Sequence, residues 1–253
     1  MANLKNKKIL FIVEGEKEEP RILGRIGHDL LHLMKGDYEV IPFANPIYEL
    51  YEAYKKEEFV NIVAYLHSEK GLKLEPDVLP KEAFSAIYLI FDFDPHYQKY
   101  STETIIDILA TFDNETENGK IYINYPMVES FYHLISLPDN EYNDRIISLD
   151  DFKGDKYKKL VNAVTCISKS KITKLDLYYI IKQNFDKAQY ICNVKSKYVD
   201  YQEILNIQIK KKNIENKIYV LNTFALMVID YNDTILDSIN KKISININNI
   251  DEH

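Results

Sequence analysis

The spacing of apolar residues changes along the chain, and those changes mark out its elements. Lys8 to Val13 (KILFIV) is a continuous apolar run of strand length, and Ile22, Leu23, Ile26, Leu30 and Leu33 follow at helical spacing between Pro20 and Met34. Pro20 suits a first helical turn and Gly36 a stop. Tyr38 to Pro42 reads as a second strand. Pro46 opens another helical pattern through Leu50, Tyr51, Tyr54, Ile62, Val63 and Leu66, and a polar loop with Pro76 and Pro80 comes next. Ala86 to Phe91 (AIYLIF) is the strongest strand of the chain and runs into Asp92. Ser101 is a credible N-cap for a helix through Ile105, Ile106, Ile108, Leu109 and Phe112. Lys120 to Tyr125 reads as a fourth strand and Met127 to Ile135 as a short helix.

Strands that alternate with helices imply an α/β fold with an open, mostly parallel sheet, Rossmann-like in arrangement. After about Pro138 helical periods dominate, notably Ile172 to Phe185 and two stretches between Val199 and Asn240. The expected organisation is an α/β domain over 1–138 and a mainly helical extension over 139–253. The tail, Lys241 to His253, is rich in Asn and Ile and suggests no particular element.

Composition narrows the class. The chain has 253 residues, 46% of them hydrophobic and 28% charged, with 7 Gly and 8 Pro, which excludes collagen-like and wholly disordered chains. Its 2 cysteines, Cys166 and Cys192, exclude a disulfide scaffold. No apolar run approaches the roughly 18–20 residues that cross a bilayer, so the expected location is cytoplasmic with no membrane partner. A net charge of −7 argues against nucleic acid as a partner unless clustered lysines or a bound divalent cation reverse the local field.

Two acidic clusters follow apolar strands: Glu14-Gly15-Glu16 after the first, and Asp92-Phe93-Asp94 at the end of the strongest. Open parallel sheets bind ligands beyond the carboxyl ends of their strands, which is where both clusters fall. Asp92 and Asp94, two apart on extended chain, face the same side, and Gly15 permits a tight turn after Glu14. Two carboxylates about 4 Å apart repel by roughly 4 kcal/mol at an effective dielectric near 20, so convergence calls for a compensating cation. Oxygen-only donors suit Mg²⁺, or Mn²⁺ as the alternative. The blander reading makes Glu14 to Glu19 the acidic start of a helix and the aspartates loop formers.

In this order and strand context, the clusters resemble TOPRIM domains, the catalytic module of topoisomerases, bacterial primases and OLD-type nucleases. The pattern there is a strand ending in Glu-Gly, here Ile12-Val13-Glu14-Gly15-Glu16, and a later strand ending in Asp-x-Asp, here Asp92-Phe93-Asp94. The chain is most similar to the RloB-like and OLD-type branch of bacterial anti-phage (abortive infection) proteins, through FIVEGEKEEP near the N-terminus. Asn124-Tyr125-Pro126-Met127-Val128-Glu129 approximates that branch's Asn-Pro-x-x-Glu segment with one inserted residue. The resemblance covers roughly the first half of the chain. It implies a Mg²⁺-dependent nuclease acting on DNA or tRNA, with Glu14, Asp92 and Asp94 as catalytic and metal-holding residues and Glu129 as a further ligand. It also implies a separate ABC-type ATPase as partner, since the chain has no Walker A pattern, and it admits a homo-oligomer. Position 96, an Asp in the topoisomerase form, is His96 here, and surface placement is expected for it.

Phosphate contacts need basic residues. Lys153, Lys156, Lys158 and Lys159 follow the sheet region, and Lys210 to Lys212 form a second run. Such runs are usually solvated helix faces. OLD-type enzymes have a lysine beyond the acidic motifs, which makes Lys153 and Lys156 the expected substrate-binding residues. His28 and His32, four apart on the expected helix, read as surface residues. Two alternatives remain open: a haloacid dehalogenase-type phosphatase, whose Asp-x-Asp normally ends its first strand, and a non-catalytic regulatory subunit of an ATPase complex.

Overall fold

The structure, a computed structural model, describes residues 8–56, 61–74 and 82–251. The loop with Pro76 and Pro80 lies outside the described residues. Two compact units emerge. The first extends to Tyr122 apart from Asp29–Leu31; the second holds Asp29–Leu31 and everything from Ile123 onward. The division falls inside a strand, earlier in the chain than Pro138.

The fold is α/β. The first unit is built on a five-stranded sheet in the order β2-β1-β3-β5-β4. Its strands are β1 (Lys8–Val13), β2 (Tyr38–Pro42), β3 (Phe84–Asp92), β4 (Asp113–Asn114) and β5 (Gly119–Asn124). β1 pairs in parallel with β2 on one side and β3 on the other, Ile12 standing opposite Ile41 and Leu89. Leu10 to Val13 and Leu89 to Phe91 are all buried, the unbroken apolar pattern of a parallel strand covered on both faces. β4, which the hydrophobic pattern does not show, pairs antiparallel with β5.

Helices α1 (Glu18–Asp29), α2 (Ile47–Lys55), α3 (Ile62–Glu69) and α4 (Thr102–Thr111) complete this unit. The single helical period expected from Pro46 to Leu66 is two helices, α3 starting where the Asn61 side chain accepts from Ala64 N. Ser101 caps α4 as expected, accepting from Thr104 N at 3.0 Å. α1 ends at Asp29 rather than near Met34, and His32 takes a left-handed φ of 54°, so His28 and His32 do not share a helix face.

The second unit is mainly helical. α5 (Lys156–Val164), α6 (Lys174–Cys192), α7 (Tyr201–Glu215), α8 (Thr223–Tyr231) and α9 (Ile235–Asp251) join a small antiparallel pair, β6 (Ile146–Ser148) with β7 (Lys217–Tyr219). The helix expected at Met127–Ile135 is a 3-10 turn over Val128–Tyr132. α6 is the central element, packing against α7, α8 and α9. It is opened by a capping box in which Thr173 accepts from Asp176 N and Asp176 from Thr173 N. α9 accounts for most of the Asn- and Ile-rich tail. Among the described residues no helix is long and apolar enough to cross a membrane.

Candidate functional site

The chain leaves β1 at Glu14, whose backbone is held from both sides. Its N–H donates to Ile90 O of β3 at 3.0 Å, and its carbonyl accepts from Ala44 N at 2.9 Å. With the backbone fixed, the side chain reaches across the sheet end: Glu14 Oε2 accepts from Asp92 N at 3.0 Å. The residue after β1 and the last residue of β3 are thus joined by a carboxylate at the edge where parallel sheets build their sites.

Phe93 sets the direction of the aspartates. It is 1% exposed and meets Tyr100 edge-on, with ring centroids 5.9 Å apart, while Asp92 and Asp94 on either side of it are half-buried. Alternation along extended chain sends the two acids to the side opposite the anchored ring. Asp94 Oδ1 accepts from His96 N at 3.2 Å, and the Asp94 carbonyl accepts from Tyr97 N at 3.3 Å, turning the chain toward α4. His96 itself is exposed.

A fourth acid joins them. Glu19, in the first turn of α1, is 4% exposed, and its Oε1 accepts from Gly15 N at 3.0 Å. Gly15 leaves room for this approach, since a Cβ there would lie 2.6 Å from Glu19 Oε2 and would push that carboxylate aside. Sequence spacing makes Glu19 only one acid of the helix start Glu14 to Glu19. The available signal was its place immediately before Pro20, which commits it to the first helical turn close behind Gly15.

The electrostatics follow from this crowding. Burial foremost, and then the negative charges of Glu19 and Asp94, push the Glu14 carboxyl up to about 8, against the opposing pull of the hydrogen bond from Asp92 N. Lys99, in the loop that follows Asp94, is engaged elsewhere, contacting Glu49 and Glu52 at 2.8 Å each. Tyr97 donates to the same Glu49.

Among the described residues no group of three or more His, Cys, Asp or Glu side chains is placed to hold a metal ion. The donors at the strand ends are all carboxylate oxygens in a cluster rich in negative charge. That chemistry fits a hard divalent cation of the Mg²⁺ type, which binds through one or two carboxylates and keeps several of its waters. Cys166 and Cys192 are free thiols.

The other expected site residues belong to the second unit. Glu129 is buried in the 3-10 turn and lies 3.6 Å from Lys158 Nζ. Lys153 Nζ donates to Asp150 Oδ1 at 3.1 Å and Lys156 Nζ to the Asp150 carbonyl at 3.2 Å, so both ammonium groups are directed at one turn. Of the second run, Lys211 pairs with Glu215 at 2.9 Å and lies over the Tyr219 ring.

No family model, no curated protein and no solved structure matches this chain.

Proposed function

We propose that the chain is a divalent-metal-dependent nuclease that hydrolyses phosphodiesters of DNA or tRNA at the carboxylates of the first unit. The observation that supports this reading is the placing of the Glu14 carboxylate at the end of β3, where Asp92 N donates to it and the charges of Glu19 and Asp94 act on it. The cation would be held by one or two of Glu14, Asp92 and Asp94, with water completing its shell. When bound, the ion supplies charge neutralisation for the phosphate and the leaving oxygen.

The chain's own residues supply the proton chemistry. As the water oxygen bonds to phosphorus and the bond from phosphorus to the leaving oxygen breaks, ionised Glu14 takes the proton from water. The leaving oxygen takes its proton from solvent, and Glu14 gives up the proton it accepted to solvent in turn. In the metal-free chain burial and the neighbouring charges raise the proton affinity of this carboxyl, the property a general base needs. Asp92 N, donating to Glu14 Oε2, fixes the orientation of that carboxylate.

The test is an assay of the purified chain on mixed plasmid DNA and tRNA with Mg²⁺ or Mn²⁺. Metal-dependent strand cleavage is expected, abolished by chelation and reduced by about 10²–10⁴-fold in Glu14→Ala and Asp92→Ala. Undiminished cleavage in both variants overturns the assignment, and rapid phosphomonoester hydrolysis without strand cleavage replaces it with a phosphatase. Control by a separate ABC-type ATPase, inferred from the resemblance to anti-phage proteins, is tested by co-purification of the two chains.

A further inference from the structure

The contact between Glu19 and Gly15 is not an ordinary feature of a helix start. In a capping box the acid stands at the third helical position and bonds the amide of the cap residue itself. Glu19 is the second residue of α1, and it reaches back beyond the cap to the amide that directly follows Glu14. An acid placed only to complement the helix dipole would sit in solvent, whereas Glu19 is buried. Burying a carboxylate costs several kcal/mol unless its oxygens are bonded, and burying it beside another carboxylate costs more.

Every other attachment of the Glu14 segment comes from the sheet side. Ile90 O and Ala44 N hold the Glu14 backbone, and Asp92 N holds its side chain. The turn leading away from Glu14 has Glu19 Oε1 on its first amide. The match is tight, because the space a side chain at position 15 would need is filled by Glu19 Oε2 at 2.6 Å. Gly15 does not take a left-handed φ, so the space for Glu19 is what calls for glycine there.

We propose that Glu19 is a positioning residue of this site, whose carboxylate locks the β1–α1 turn through Gly15 N and so holds Glu14 against the end of β3. The catalytic part of this inference rests on the nuclease reading; the structural part does not. A misplacement of about 1 Å at a reacting group costs on the order of 10²-fold in rate.

The experiment measures two quantities on wild type, Glu19→Ala, Glu19→Gln and Gly15→Ala: hydrogen exchange at the Gly15 amide, and kcat and KM for metal-dependent cleavage. Glu19→Gln retains a carbonyl oxygen to accept from Gly15 N, and Gly15→Ala displaces the Glu19 carboxylate while keeping its charge. The expected result is a protected Gly15 amide in wild type and Glu19→Gln. In Glu19→Ala and Gly15→Ala it should exchange at least about 10-fold faster, because the closing hydrogen bond is gone. The same two variants should lose kcat by about 10²-fold at nearly constant KM, with Glu19→Gln restoring most of it. An amide equally protected in Glu19→Ala overturns the proposal, as does a Glu19→Gln variant as inactive as Glu19→Ala, which would make the charge itself the requirement. Should wild type show no metal-dependent cleavage, the nuclease reading falls, and Gly15 exchange alone decides the positioning role.

Discussion

The two units both bury charge, and they treat it in opposite ways. In the second unit nearly every buried polar group has a partner of its own. Asp139 accepts from Arg145 at 2.5 and 3.2 Å, from Ile135 N at 2.9 Å and from Glu141 N at 3.2 Å. Lys187 Nζ donates to the carbonyls of Tyr142 and Arg145 at 2.6 Å each and faces the Tyr142 ring. Tyr142 OH donates to Asn184 Oδ1, which also accepts from Asn222 N. In the first unit Glu14, Glu19 and Asp94 bring charge of one sign together, and burial and mutual repulsion push Glu14 up to about 8. A paired network stabilises a particular fold; crowded like charges oppose it and persist where a ligand or a reaction uses them. This contrast supports the proposed site at the sheet edge, although in the second unit burial and the Arg145 charge also push Lys187 well below its ordinary value.

Removing one acid from each unit gives the largest contrast. Asp139→Ala leaves Arg145 with its charge largely buried and uncompensated, and should destabilise the second unit by about 3–5 kcal/mol. Urea unfolding followed through hydrogen exchange at second-unit amides reads the effect. A loss below about 1 kcal/mol would show that the Asp139–Arg145 pair is not structural and would remove the contrast.

The two units should also respond to pH with opposite sign. Glu14 binds its proton more tightly folded than unfolded. The stability it contributes is whole below its ordinary 4.5 and is lost as pH rises through about 8. His133 is shifted the other way: burial, then the charges of Arg145 and Lys187, bring it down to about 4, while its Nδ1 lies 2.9 Å from Tyr157 OH. Its neutral form is favoured, so its contribution is present above the ordinary 6.5 and is lost as pH falls through about 4. Each group changes stability by at most about 1.4 kcal/mol per pH unit inside its window. Thermal melts of the metal-free protein across pH should show both limbs, and Glu14→Gln should flatten the alkaline one alone.

How much of this was legible in the chain depends on how local each signal is. β1 is visible to the residue because a parallel strand buried on both faces is an uninterrupted apolar run; β2, a half-buried edge strand, also takes its expected bounds. The short strands β4, β6 and β7 are too brief to carry a period, and their partners are distant in the chain, as Ile146 with Tyr219 shows. Glu14, Asp92 and Asp94 stood out because strand ends are where sheets place ligands. Glu19 did not, because its role comes from a side chain folding back on Gly15, which no spacing rule encodes. The polar network of the second unit left one trace: Asn184 occupies the α6 stripe otherwise made by Leu177, Ile180, Ile181 and Ala188. A polar residue on an apolar stripe marks a buried hydrogen bond, here to Tyr142 and Asn222. Arg145 and Asp139 had no such marker, since both lie in irregular chain.

The smallest effect tests the like-charge account most directly. Asp94 raises Glu14 through its charge, as does Glu19, whereas Asp92 contributes an N–H that lowers it. Asp94→Asn removes the charge and keeps the shape, including an oxygen to accept from His96 N. The Glu14 carboxyl should then ionise at lower pH, closer to its unfolded value. With the folded and unfolded values nearer together, the alkaline decline shrinks, and the metal-free variant should be more stable than wild type by about 0.5–1 kcal/mol at pH values above 8. The same substitution should weaken Mn²⁺ binding measured by calorimetry, because it removes an anionic donor where the cation is proposed to sit. A stabilised apo protein with weakened metal affinity is the signature of charge gathered for a ligand. Loss of stability on neutralising Asp94 would instead mean that its charge is paired in the fold, and the contrast between the two units would disappear.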